Sequence, residues 1–540
     1  MKKIYSSFIG QRDSVIAAYL FAFNLLYGLI FINLGLDILD DGFILDSIKR
    51  FMNGGVLYKD IFTMYAPMKY HLISGFLKIF GLNLYMERLY GLIIGSFLIV
   101  CVYYTARQIC KSKTTALIST LLVIFLFRYG VSDRLIFAFV AILSLMRYFR
   151  LKNEIDQRSS ILFAFIVGLL IGLQVVTSPE VGAYLLASVA VYLTVKLVTG
   201  AQKAYGFLQL VLFAGIGCMI IVIPVAYSQL HAAYKETIYL LITWPLTIFP
   251  KTMSLTYPNL IKSIAMIARG VSLKGIWKLV NCILFYIPVV IYLITSFQLA
   301  ISYSGKTGKR SRSDADVLLI LLFGILLYKT ATVRSDIGHL MFGIIPAIIL
   351  GCYLIEQAYE QISLSYKKSE GSKRGLNALI AAAVVILIAY GQIGNAIFLK
   401  QRLTGELVPL GLKGADNIFV NKEQKKDLVE TVEFVKRNTL SRDKIFAFPY
   451  GAMIYFLSGR DYPGRYNQVL PYNTASDQAE IVNALKRNPP KLVIYLDLFK
   501  VNDKEFRSYG KLVDDYIKSN FRVSERFGKY EIWTSTRYTK

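Results

Sequence analysis

The sequence has little negative charge, almost no histidine and few cysteines, and each shortage excludes something. Of its 540 residues only 35 are Asp or Glu, against 61 Lys or Arg, and 3 are His. Charged residues make up 18% of the chain, well short of the roughly 25% of an ordinary soluble domain. That excludes a protein soluble throughout. It also excludes a disordered chain, because 55% of the residues are apolar or aromatic. The cysteines (Cys101, Cys110, Cys218, Cys282 and Cys352) are too scattered for a disulfide framework and sit in or beside apolar runs, where they behave as small hydrophobes. No CxxC or His-rich spacing marks a structural zinc site.

What the chain does have is long apolar runs. The first reaches from about Val15 to Leu36 behind Met1-Lys2-Lys3, too long for a secretory h-region and without a small-x-small cleavage site. Further runs begin near Tyr85, Thr114, Leu135, Ile161, Val181, Phe207, Trp277, Val317, Ile337 and Leu376. At the ~20 residues a bilayer requires, this predicts about eleven transmembrane helices.

The formal charge of +26 would suggest nucleic acid on a soluble chain. Here the cations collect in alternate loops: Arg107-Lys111-Lys113, Arg147-Arg150-Lys152-Arg158, Lys306-Lys309-Arg310-Arg312 and Lys367-Lys368-Lys373-Arg374. The positive-inside rule then puts the N-terminus in the cytoplasm and everything after about Lys400 outside the plasma or inner membrane. Arg128 and Arg134 are local exceptions. The partner is a lipid bilayer, not nucleic acid.

Composition changes near Asn421. Residues 421–540 read as a soluble extracytoplasmic α/β domain, behind a transmembrane module of residues 1–420 whose first external loop spans 37–83. Helical periodicity covers Lys422 to Asn438 and Ser476 to Arg487. Strand patterns cover Lys444 to Phe448, Lys491 to Asp497 and Tyr530 to Thr534.

Acids are scarce in the membrane module, so their placement carries information. Asp37, Asp40, Asp41, Asp46 and Asp60 fall in the first outside loop, Asp133 in the second, Glu180 in the third and Asp336 in the fifth. Arg334 and His339 flank Asp336, and Arg88 opens the second span. A lone acid in a short turn is ordinarily just solvated. Asp40 to Asn53 also fits an amphipathic helix resting in the interface, with Asp46 on its polar face. Arg334, Asp336 and His339 fit an internal pair that fastens a helix end. Convergence of several loops on one membrane face favours a functional site instead.

These residues follow a recognisable order. Asp40-Asp41-Gly-Phe, Asn53-Gly-Gly-Val-Leu-Tyr58-Lys-Asp60, Tyr65-Ala-Pro67-Met-Lys69-Tyr70 and Phe80-Gly81 leading to Arg88 resemble the first external loop of C-type (GT-C) glycosyltransferases. That group includes protein O-mannosyltransferase and lipid A aminoarabinose transferase relatives. Asp133 before an apolar span, Gly168-Leu-Leu-Ile-Gly172 leading to Pro179-Glu180, Arg334-Ser-Asp336 with His339, and Ile454 to Arg460 extend the likeness along the chain. Asp41 stands where relatives often have Glu, and Ser178 where a Lys is common.

The resemblance implies a polytopic α-helical membrane protein with a C-terminal extracytoplasmic α/β domain. It implies transfer of a sugar from a polyprenyl-phosphate donor to a hydroxyl-bearing lipid, glycan or protein, with inversion. A carboxylate would take the acceptor's proton, and cations would stabilise the departing phosphate. On that basis Asp40 and Asp41 are the expected catalytic residues. Asp60, Lys69, Arg88, Asp133, Glu180, Arg334, Asp336 and His339 are expected to bind substrate. No cofactor is required; a divalent cation between Asp133 and the first loop stays open. Aromatic residues of the loop from Tyr227 to Trp277, Trp244 among them, are expected either to line the polyprenyl groove or to rest on the bilayer. A lipid-linked sugar flippase or transporter would place its ionisable groups near the midplane. A polysaccharide polymerase or ligase is closer in chemistry.

Overall fold

The computed structural model describes residues 10–126, 132–151, 156–199, 204–304, 314–365, 370–496 and 505–536. Arg128, Lys152, Lys306, Lys309, Arg310, Arg312, Lys367 and Lys368 lie outside the described residues. Every expected span has a helix at its position, from Asp13–Phe31 to Glu370–Leu403. Among the described residues nine helices are long and apolar enough to cross a membrane. Of the two others, Lys113–Leu126 is shorter, and Ser132–Leu151 carries Asp133, Arg134, Arg147 and Arg150. The protein is a multi-pass membrane protein. The first helix stops at Phe31 rather than Leu36, because Leu34 bridges to Phe419 and the Gly35 N–H donates to the Phe419 carbonyl.

Two compact units account for the chain: Met1–Gly28, Gly91–Val225 and Leu255–Ile393 form one, and Leu29–Tyr90, Ala226–Ser254 and Gly394–Lys540 the other. The first is a helical bundle whose spans touch through glycines. A side chain on Gly168 would collide with the backbone of Ala214, and one on Gly172 would come within 2.8 Å of the Cys218 carbonyl. Small residues four apart let two helix backbones meet where lipid gives no hydrophobic drive. At one end of this bundle buried Asp316 accepts from Tyr192 and lies within salt-bridge distance of Arg150 and Lys196, tying three spans together.

The second unit is mixed. Its helices α1 (Asp40–Met52) and α2 (Pro67–Phe80) come from the first loop. Strands β1 (Leu407–Pro409) and β2 (Phe419–Asn421) pair antiparallel. Then follow α3 (Lys422–Asn438), β3 (Ile445–Phe448), α4 (Ala452–Ser458), α5 (Ala475–Arg487), β4 (Leu492–Leu496), α6 (Lys511–Asn520), β5 (Phe521–Phe527) and β6 (Tyr530–Ser535). The sheet order is β3-β4-β6-β5, with β3 and β4 parallel and the other pairs antiparallel. Each of α3 and α5 starts with a side-chain cap: Asn421 accepts from the Gln424 N–H, and Thr474 with Asp477 makes a capping box.

The apolar face of α1 does not rest on lipid. Phe43, Leu45 and Ile48 are buried, and Leu45 shares a core with Ile445, Met453, Ile454 and Tyr455. Gly42 makes this possible, because a Cβ there would sit 2.9 Å from the Met453 Cα. Arg50 donates to the Gly464 carbonyl, Arg465 donates to the Tyr58 carbonyl, and the Phe62 ring stacks on Tyr466 and Tyr472. The first loop is thus built into the C-terminal sheet domain. Asp46, expected on a polar face, is buried beside Asn467.

Candidate active site

The first of two residue groups lies where the chain leaves the first span and enters α1. Asp37 Oδ1 accepts from the Leu39 and Asp40 amides, at 2.9 and 3.0 Å, and so caps the start of α1. Asp40 follows in the first helical turn, exposed, at the positive end of the helix dipole. Asp41 points elsewhere. Its Oδ2 accepts from Arg88 Nη2 at 2.7 Å and from the Asp37 amide at 2.9 Å. Arg88 also donates to the Ile32 carbonyl at 3.0 Å and to the Gly35 carbonyl at 2.9 Å. One guanidinium therefore ties the end of the first span, the turn and α1. Burial raises the Asp41 carboxyl above its ordinary value, and the charge of Arg88 offsets only part of that rise.

The neighbouring predicted residues divide. The Lys69 ammonium lies 4.4 Å over the Tyr65 ring, which in turn packs on Phe43 of α1. Lys69 is thus one ring away from the helix that carries Asp40. Asp60 does not join them. Its Oδ2 accepts from the Val56 amide at 2.9 Å and closes the turn that holds Tyr58 at φ +68°. Asp60 lines a separate polar cavity of about 450 Å³ with Asp46, Lys49, Arg50, Arg460 and Asp461.

The second group belongs to the helical bundle. Asp133 is buried in the first turn of Ser132–Leu151. The next residue, Arg134, lies 3.5 Å from Ser178 Oγ and 3.5 Å from Glu180 Oε2, with its guanidinium 4.4 Å over the Phe342 ring. Gln174 fixes this turn by accepting from the Ala138 amide and donating to the Arg134 carbonyl. Glu180 Oε1 accepts from Tyr184 at 2.8 Å, and the Lys329 ammonium lies 5.9 Å from the Tyr184 ring.

Asp336 receives Arg334 Nε at 2.6 Å, and on its other oxygen the His339 ring at 2.8 Å and the His339 amide at 2.9 Å. Burial works against its ionisation, but the hydrogen bonds and charges of His339 and Arg334 outweigh it and hold the carboxyl well below the usual range. Asp336 thereby caps helix Ile337–Ser365, so the helix-fastening role expected as the bland alternative is present.

Sequence reasoning set Arg134 aside as an exception to the charge rule and did not single out Lys329. Arg134 next to Asp133, on the face with few cations, was the available signal. Phe342 gave none, because its place over Arg134 depends on two spans meeting. Among the described residues no three His, Cys, Asp or Glu side chains cluster as a metal site.

Comparison with known proteins agrees with this architecture. The family model for dolichyl-phosphate-mannose-protein mannosyltransferases matches residues 48–235. That stretch includes Asp60, Lys69, Arg88, Asp133 and Glu180 but begins after Asp40 and Asp41. The structure of ArnT from Cupriavidus metallidurans bound to undecaprenyl phosphate is similar at 12% identity, with a TM-score of 0.54 over 96% of this chain and 97% of that one. The same protein in its apo state gives 12% identity and a TM-score of 0.52 over 96% of each chain. The Archaeoglobus fulgidus oligosaccharyltransferase, in complex with Zn and sulfate, is similar at 13% identity, with a TM-score of 0.51 over 90% of this chain and 68% of that one. A search of curated protein sequences returns no match. The chain shares its fold with these two membrane proteins.

Proposed function

We propose that this GT-C-fold protein is a membrane glycosyltransferase. In this reading it moves a sugar from a polyprenyl phosphate to a hydroxyl acceptor on the extracytoplasmic face. The observation that carries the reading is the division of labour in the first loop. Asp41 is committed to Arg88, while Asp40, one residue earlier, presents an exposed carboxylate at the same helix end. The family match and the fold shared with a protein that binds undecaprenyl phosphate support it. The transporter alternative has no such support.

In this mechanism the acceptor oxygen attacks the anomeric carbon as the bond from that carbon to the phosphate oxygen breaks. The hydroxyl proton passes to Asp40. The polyprenyl phosphate departs with the bonding pair, and attack from the opposite side inverts the anomeric centre. Arg88, Lys69, Arg134, Arg334 and His339 are the cations assigned to the phosphate. Asp133 and Glu180 orient the acceptor. The N-terminus is assigned to the cytoplasm and the sheet domain to the outside of the plasma or inner membrane. No cofactor is assigned; a rate unchanged by EDTA is the expected outcome, and a loss restored by one divalent ion would give Asp133 a metal-binding role.

Purified protein supplied with a panel of polyprenyl-phosphate sugars, and with a membrane extract as the source of acceptor hydroxyls, is expected to release polyprenyl phosphate from at least one. Turnover of nucleotide sugars alone, with none of the lipid-linked donors consumed, would overturn the reading.

A further inference from the structure

Between Glu236 and Asp314 the chain has no acidic residue, yet Lys262, Arg269, Lys274 and Lys278 lie close together within it. The segment that holds them is well built. Helix Leu260–Ala268 follows Pro258 and is capped by Asn259, whose Oδ1 accepts from the Lys262 amide at 2.9 Å. Ser272 accepts from the Gly275 amide and starts the next span, Leu273–Tyr303, which has a mean hydropathy of 2.1. The segment is anchored to the bundle by hydrogen bonds from Tyr286 to the Pro258 carbonyl and from Tyr257 to the Phe285 carbonyl. Leu255 bridges to Arg334. These contacts put the helix at the membrane face that carries Arg334, Asp336 and His339. The basic run Lys306-Lys309-Arg310-Arg312 follows the far end of the same span.

The side chains sort by direction. Lys262 and Arg269 are seven residues apart, two helical turns, and share one side. Ile264 projects from the other, and Ile261 from the flank between. Ile261 is 80% exposed, and beyond the helix Val271 is 77% and Leu273 88% exposed. All four cations are exposed, and none has an acidic partner among the described residues. Large apolar side chains facing outward beside a span belong in lipid, and cations on the opposite face of the same helix then lie at headgroup level. Four unpaired cations on the face with few positive charges run against the positive-inside pattern, and a negatively charged surface there offsets that cost.

We propose that helix Leu260–Ala268 and the first turns of Leu273–Tyr303, through Lys278, form a cationic platform lying in the membrane interface, which binds the headgroups of anionic phospholipids in that leaflet. The apolar face sets the depth of the helix, and Lys262, Arg269, Lys274 and Lys278 contact phosphate. The inference does not depend on the glycosyltransferase reading, and its test reads lipid rather than sugar.

The full-length protein is purified in mixed micelles holding equal phosphatidylcholine and phosphatidylglycerol, and retained lipid is counted by native mass spectrometry. Wild type is expected to retain phosphatidylglycerol preferentially, with the preference falling in high salt. At about fivefold per lost charge near an anionic surface, the combined change Lys262→Gln, Arg269→Gln, Lys274→Gln and Lys278→Gln should lower the preference at least tenfold. The charge-keeping set Lys262→Arg, Lys274→Arg and Lys278→Arg should retain it. Size-exclusion profiles check that each variant is intact. Equal retention of both lipids by wild type would overturn the proposal, as would an undiminished preference in the Gln variant. So would retention of added undecaprenyl phosphate that phosphatidylglycerol fails to displace.

Discussion

Arg88 Nη2 and Asp41 Oδ2 lie 2.7 Å apart, and the same guanidinium holds the carbonyls of Ile32 and Gly35. Lysine keeps the charge but cannot span three acceptors in different directions. Arg88→Lys is therefore expected to lower sugar transfer at least about tenfold while the protein stays folded, because the turn before Asp40 loses its anchor. Transfer assays beside thermal melts of the detergent-solubilised protein check this. Unchanged transfer would remove Arg88 from the site.

Asp40→Asn removes the proposed proton acceptor without changing size. The expected loss is at least about a hundredfold in kcat, the low end for a general base. Asp41→Asn should differ in kind, lowering thermal stability as well as rate, because it weakens an ion pair that fastens three segments. Full activity in the Asp40 variant would refute the base assignment.

Arg134 stands over Phe342 with two contacts at the outer limit of hydrogen bonding, to Ser178 and Glu180. Arg134→Gln is expected to raise KM for the lipid-linked donor about tenfold, with kcat changed less, as for lost ground-state phosphate binding. Phe342→Leu should give a smaller shift in the same direction. A fall in kcat with KM unmoved would place Arg134 elsewhere in the reaction.

Asp46 is buried beside Asn467, and that burial pushes its carboxyl from the usual 3.8 up to about 6, with Lys49 and Arg50 opposing. A raised folded pKa means that the folded state holds the proton more tightly. The group costs nothing below about pH 4, and its stabilising proton is lost as pH rises through 4 to 6. At neutral pH the cost is at most about 3 kcal/mol. Asp46→Asn should therefore raise the Tm at pH 7.5 and flatten its dependence between pH 4 and 6. Parallel melting curves for wild type and variant across that range would contradict the assignment.

Gly42 packs against the α4 backbone at Met453. Gly42→Val should destabilise the sheet domain by about 1–3 kcal/mol, since helix and backbone must separate. Gly54→Val is no fair control, because Gly54 has φ +92°. Gly75→Ala, with nothing within 4 Å, is a fair one and should be near neutral. Limited proteolysis and melting temperature separate the two.

Much of this protein is legible in one dimension. A bilayer imposes a length and an apolar composition that a sequence displays directly, so every expected span has its helix. Strong local signals did the same in the sheet domain. The periodicity over Lys422 to Asn438 matches α3, with its cap at Asn421. Strands β1, β2 and β5 were not legible. β1 and β2 are three residues each, and β5 exposes most of its length, so none has the apolar pattern that marks a strand.

The site divides along the same line. Scarcity of acids in an apolar chain was enough to single out Asp40, Asp41, Asp133, Glu180 and Asp336, because an ionised group near lipid must have a reason. What each carboxylate does was decided by its folded surroundings. Asp41 meets Arg88 and not the solvent, Asp60 closes its own turn, and Asp46 is buried rather than surface-facing. Periodicity reports that a helix has an apolar face, but not whether lipid or protein covers it. For α1 it is protein, through Gly42 and Met453. The sequence by itself determined the membrane class and where the apolar helices lie. Only tertiary structure decided which charges are spent on holding the fold, since that depends on which segments the folded chain brings together, as with Asp41 and Arg88 or Asp46 and Asn467.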